Sequence, residues 1–170
     1  MGGGGGGYTG GISDSNELEE LAKKRLEKLN SLDKTCNLFV PHSWDHEGEY
    51  QRLLALLKDT EDFEFKDYSI PREDAIDADT AKQLEEGLKD QIYHATVVLI
   101  PAGMYVTYSG SIQKEIELSK QLGKPIVAVK PWGSEVIPTI LQENADIIVG
   151  WNKDSIVEAI NTVRAKKQQH

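Results

Sequence analysis

A single cysteine, Cys36, in 170 residues means that no internal disulfide can form, so stability has to come from a packed core. No apolar run reaches membrane-spanning length. The longest, Ala95 to Ile100 and Pro125 to Val129, are the size of strands. Positive charge is scarce as well, with 19 Lys and Arg against 28 Asp and Glu and a formal net charge of -9. Surfaces that hold nucleic acid by its phosphates need clustered Lys and Arg, so neither a nucleic-acid nor a membrane partner is expected. The one basic run, Arg164-Ala165-Lys166-Lys167, reads as a cationic helix end that complements the macrodipole. The start of the chain lacks the apolar stretch of a secretory signal, and Gly6 stands where a myristoylation signal needs Ser or Thr. A lone cysteine in a predicted buried strand fits a reducing compartment, and the expected location is the cytoplasm.

Several chemical signatures are missing too. His42-Ser43-Trp44 occupies the place after the first predicted strand where a glycine-rich phosphate loop would lie. None of Ser43, Ser69, Ser109 and Ser111 has the Gly-x-Ser-x-Gly setting of a hydrolase elbow. His42 and His46 straddle a predicted loop-to-helix boundary with no third ligand nearby, so no metal site is expected.

What the chain does contain is a repeating strand and helix pattern. Residues 1–13 form a glycine-rich arm with few side chains to bury, and 14–33 read as an N-terminal helix. Asp14 or Ser15 serves as its cap, the helix runs from Glu17 to Leu32, and Leu18, Leu21, Ala22, Leu26 and Leu29 make its apolar stripe. This helix is suited to packing on the domain or on another copy. Residues 34–170 make the main domain. Strands are predicted over 35–40, from 63–65, and over 96–100, 126–129 and 146–149, with helices over 47–58, from a cap at Asp77 or Asp79 to His94, after Ser111, and over 153–166. Five strands alternating with helices imply an α/β fold with a parallel sheet covered on both faces, flavodoxin-like in topology.

In such a sheet the loops after the strands face the ligand. Here they carry His42, Ser43 and Trp44 after the first strand, Asp67 and Ser69 after the second, and Tyr105, Ser109 and Ser111 after the third. These hydroxyls, aromatics and polar groups suit a nucleotide or sugar. Glu115 stands out from them. It sits early in an amphipathic helix, beside the apolar stripe of Ile112 and Ile116 and next to the loop, whereas Lys114, Glu117 and Lys120 belong to the solvated face.

The spacing Ser109-x-x-x-x-x-Glu115-Ile116, followed by the Gly123-Lys124-Pro125-Ile126-Val127 strand entry, resembles the Ser-x-Trp-x-x-x-Glu segment of TIR domains. Leu38 to Ser43 looks like that family's opening strand, and Phe65 to Pro71 resembles the start of its BB loop. The similarity runs from about Thr35 to Ala165, and the chain is most similar to the bacterial TIR-like proteins of the Thoeris antiphage defence group. The family tryptophan falls on Ser111, with Tyr105 and Tyr108 in the preceding loop instead.

The resemblance implies an enzyme that takes NAD as substrate, with no permanently bound cofactor, and cleaves the nicotinamide–ribose bond. Glu115 would hold the ribose hydroxyls and favour the oxocarbenium-like transition state. Release of ADP-ribose or of a cyclic isomer would follow, the latter reaching a separate effector protein as a messenger. Homo-oligomerisation is expected on the same ground. Two other readings stand beside it: a TIR interaction module without catalysis, assembling through Lys66 to Asp77 and the N-terminal helix, and an enzyme resembling nucleoside deoxyribosyltransferases.

Overall fold

The computed structural model describes residues 13–41, 47–69, 81–105, 109–131, 133 and 136–167. The chain divides into two units, Met1–Thr35 and Cys36–His170. The first holds helix α1, Ser13–Lys34, which is longer at both ends than predicted. Asp14 and Ser15, read as caps, lie inside its first turn. Leu18, Leu21 and Leu26 are exposed, and Lys24 pairs with Glu20 one turn away at 3.4 Å.

The second unit is a five-stranded parallel sheet. Its elements in chain order are β1 (Cys36–Phe39), α2 (Glu47–Lys58), β2 (Phe65–Asp67), α3 (Ala81–His94), β3 (Val97–Pro101), α4 (Ala102–Tyr105), α5 (Ser109–Gln121), β4 (Ile126–Val129), α6 (Thr139–Asn144), β5 (Ile147–Val149) and α7 (Lys153–Lys167). The strand order is β2-β1-β3-β4-β5, the flavodoxin order that the alternating sequence predicts. No helix among the described residues is long and apolar enough to cross a membrane.

Period-two alternation assigns each strand residue to one of two cores. Cys36, Leu38 and Val40 of the first strand region, Val97 and Leu99 of β3, and Val127 and Val129 of β4 pack with Tyr50, Leu53 and Leu57 of α2 and Ile156 and Ile160 of α7. The intervening residues Phe39, Val98, Ile100, Ile126 and Ala128 face the other way, against Ile92 of α3, Ile112, Ile116 and Leu118 of α5, and Leu141 of α6. Both faces are therefore apolar, which is why these strands read as continuous hydrophobic runs.

Some element boundaries differ from the sequence reading. β2 begins at Phe65, because Phe65 is the residue that pairs with Cys36 and the Cys36 N–H donates to the Glu64 carbonyl at 2.8 Å. Phe63 lies before the ladder, stacked on Phe65 and preceded by Asp62 in the left-handed region at φ 62°. β5 begins at Ile147, the first of its residues paired with β4, and just before it the Asp146 carboxylate accepts the Ile126 N–H at 2.7 Å. Ser109 to Ser111, read as a loop, form the first turn of α5, and the short helices α4 and α6 have no periodic apolar signature long enough to predict. The cap expected at Asp77 or Asp79 lies outside the described residues.

The two cores make a direct stability prediction. Leu53→Ala, at a fully buried site, should cost about 2–5 kcal/mol in urea unfolding. Leu18→Ala, at a residue 66% exposed on α1, should change stability by less than about 0.5 kcal/mol. Equal losses at the two positions would contradict this assignment of the core.

Candidate functional site

Because β1 and β3 are adjacent and parallel, their following segments decide where a crevice opens. The chain leaves β1 for α2, which packs on one face of the sheet, and leaves β3 for α4 and α5, with α5 packed on the other. The connections part at this point on the carboxyl-terminal edge, and such a switch point is where open α/β sheets take their ligands.

The wall on the β1 and β2 side is held by hydrogen bonds. The Tyr68 N–H donates to the Leu38 carbonyl at 2.8 Å, and the Val40 N–H donates to the Ser69 hydroxyl at 2.9 Å. Asp67 accepts the Ser69 N–H at 2.8 Å on one oxygen and the Tyr50 hydroxyl on the other. Asp67 and Ser69, expected among the ligand-binding residues, thus stand at the predicted edge with partners inside the protein, tying the ends of β1 and β2 to α2. His42, Ser43 and Trp44 lie outside the described residues. For Tyr105, Ser109 and Ser111 the structure describes the backbone, which places them at the end of α4 and in the first turn of α5.

Across the switch point, Glu49 in the first turn of α2 reaches Gly103 of α4. A Cβ added at Gly103 would stand 2.6 Å from Glu49 Oε1, so the absence of a side chain at 103 is what admits this carboxylate. The sequence reading singled out neither residue. A glutamate two positions into the helix after β1 is the signal that would have found one of them.

Glu115 lies in the second turn of α5, and the packing of Ile112, Ile116 and Leu118 into the core takes it inward. It is 8% exposed, and its Oε2 has no hydrogen-bond partner among the described residues. Ser119, one turn on, is fully buried and donates its hydroxyl to the Glu115 carbonyl at 2.6 Å, so it satisfies the backbone and leaves the carboxyl alone. The neighbouring Lys114 points away to Glu85 of α3 at 3.1 Å.

Burial pushes the Glu115 carboxyl up to about 8. At neutral pH it is a neutral acid, able to donate one hydrogen bond and accept others. Leaving such a group unpaired costs about 1–3 kcal/mol, which a ligand hydroxyl could recover. The only thiol is no rival as a nucleophile, because burial of Cys36 raises it to about 11 against a smaller lowering by Arg164.

A family model described as the Thoeris protein ThsB, TIR-like domain, matches residues 39–136. The chain belongs to the ThsB TIR-like family. The match begins at the last residue of β1 and runs past β4, so the family's span includes the ends of β1, β2 and β3 and the whole of α5. No curated protein matches the chain. Among solved structures, a CMP N-glycosidase from Clostridium botulinum is 15% identical with a TM-score of 0.46, over 74% of this chain and 98% of its own. A 3-dehydroquinate dehydratase-like protein from Bifidobacterium longum is 11% identical with a TM-score of 0.42, over 78% and 96%. Likenesses at this level concern the fold and carry nothing about chemistry.

The raised carboxyl sets a pH dependence whose sign is fixed. Folded Glu115 holds its proton to about pH 8, while the unfolded side chain loses it near its ordinary value of 4.5. The folded state therefore binds the extra proton between these limits, and the residue's contribution to stability is intact below pH 4.5 and lost as pH rises toward 8. Glu115→Gln removes this loss. The variant should match wild type within about 0.5 kcal/mol at pH 4, below the unfolded value, and exceed it above that by a margin growing about 1.4 kcal/mol per pH unit at most up to pH 8. Parallel stability profiles for the two proteins would contradict the burial of a neutral acid.

Proposed function

We propose that this ThsB TIR-like domain cleaves the bond between nicotinamide and ribose in NAD, with Glu115 as the catalytic carboxyl. The observation that carries the reading is the buried carboxyl with an unpartnered oxygen, on the helix that leaves the switch point of the sheet.

The free site holds a neutral acid in a desolvated place. The nicotinamide ring of NAD is a pyridinium and carries positive charge. A cation brought within about 4–6 Å favours the charged form of a carboxyl, so docking the ring beside Glu115 lowers its pKa and releases its proton to solvent. The site then holds a carboxylate beside the carbon that becomes electron-poor. As the glycosidic bond breaks, its electron pair goes to the ring nitrogen, nicotinamide leaves neutral, and positive charge moves onto the ribose. A carboxylate already in place and shielded from water stabilises that charge more than the same group in solution. Uncharged nucleosides bring no cation to offset the ionisation of Glu115, which gives the site a preference for a positively charged leaving group.

Water capture of the ribose carbon, with loss of a proton, gives ADP-ribose. Capture by a nucleophile within the same molecule gives a cyclic isomer lighter by one water. A cyclic product would serve as a diffusible signal to a separate effector, the role expected of the Thoeris group. Assembly of several copies is part of the same proposal.

The test is nicotinamide release from NAD by concentrated protein and by lysates of infected cells that carry it, followed by chromatography with mass detection. Wild type should consume NAD. Glu115→Gln, which keeps the fold, should be slower by at least about 100-fold. Absence of release under every condition, or equal rates for the variant, would overturn the proposal and favour an interaction module. Base exchange on deoxynucleosides without NAD loss would favour the transferase reading.

A further inference from the structure

At the opposite, amino-terminal edge of the sheet, four lysines converge on one cleft of about 360 Å³. Lys120 comes from the last turn of α5, Lys124 from the turn that enters β4, and Lys166 and Lys167 from the last turn of α7. Pro125 and Val163 supply apolar wall, and Asp146 is the carboxylate of the lining. In a chain of net charge -9 this is a local reversal of sign.

The bland account of lysines at helix ends is that they satisfy terminal carbonyls and the macrodipole. At the end of α5 that work is already done by the backbone. α5 closes on a Schellman turn, with the Gly123 N–H donating to the Lys120 carbonyl at 3.0 Å and the Lys124 N–H to the Ser119 carbonyl at 2.9 Å. Gly123 takes the left-handed conformation this needs, at φ 63°. Lys124, also in the lining, donates its Nζ to the Tyr93 carbonyl at the end of α3, at 2.6 Å, and lies over the Tyr93 ring. Asp146 is engaged by the Ile126 N–H. Helix carboxyl ends contribute about half a negative charge each, so those of α3, α5 and α7 together with Asp146 leave the four ammonium groups in excess. None of the four lysines makes an ion pair among the described residues, whereas Lys24, Lys114 and Lys153 each do. Burial lowers the Lys124 pKa and the Lys167 charge lowers it further, as expected where cations crowd together.

We propose that this cleft is a second ligand site, which binds a small multiply charged phosphate anion between Lys120, Lys124, Lys166 and Lys167. Its size matches small-molecule sites, and it is too short to track a nucleic-acid backbone. The site lies at the other end of the strands from Glu115, so its ligand and the substrate do not compete for the same groups.

Calorimetric titration of the full chain with sodium tripolyphosphate, with ionic strength held constant, tests the proposal. A saturable one-to-one complex is expected, weakened at least tenfold by Lys124→Gln with Lys167→Gln and kept by Lys153→Gln. On the wild-type protein, amide resonances of Lys120, Gly123, Lys124 and Lys166 should move on titration, a readout independent of how the variants fold. ATP binding more tightly than tripolyphosphate would identify the anion as a nucleotide, and the reverse order as inorganic polyphosphate. Both orders uphold the site. Absence of saturable binding, equal binding by the double variant, or resonance shifts confined to other lysines would overturn it, as would sulfate binding equally well at the same ionic strength.

Discussion

Apolar strands buried on both faces can be covered only by helices on both sides, and this constraint sends successive connections of the sheet in opposite directions. The change of side falls between β1 and β3, where α2 covers one core and α5 the other. A crevice at the carboxyl-terminal edge follows from this geometry and needs no special sequence. The hydrogen bonds of Tyr50, Asp67, Ser69 and Val40 fix one wall of it, and the Glu49 approach to Gly103 spans the divide.

The same covering of the sheet explains the state of Glu115. Ile112, Ile116 and Leu118 must enter the core, and the pitch of α5 takes the carboxyl between them inward, where its Oε2 has no hydrogen-bond partner among the described residues. Desolvation then holds the proton. In the proposed reaction such a group would ionise when a ligand supplies positive charge, coupling ionisation to substrate binding. Lysines at the far end of the strands are in the complementary situation, with positive charge gathered around one carboxylate, Asp146.

The sequence discloses the architecture well because its signals are long and regular. The apolar runs of β3 and β4 and the stripes of α2 and α7 each span several residues, so their periods stand out from the surrounding chain. The burial of Glu115 is legible for a related reason, through its position beside a stripe. The short elements were not. α4 and α6 have too few residues to show a period, and the start of β2 is decided by pairing with Cys36, a contact that only the folded chain brings about. The Glu49 and Gly103 contact and the lysine cleft both join residues distant in sequence, so no local pattern announces them. Asp67 and Ser69 illustrate the converse, since their residue types suggested a ligand and the fold gives them partners of its own.

The most direct test of this account is a carbon NMR titration of the Glu115 side-chain carboxyl, assigned by comparison with Glu115→Gln, in the free protein and with a non-cleavable NAD analogue that retains the pyridinium charge. The account predicts a midpoint near 8 in the free protein and a lower one in the complex. A midpoint near 4.5 in the free protein, or one that the cationic analogue leaves unchanged, would contradict it.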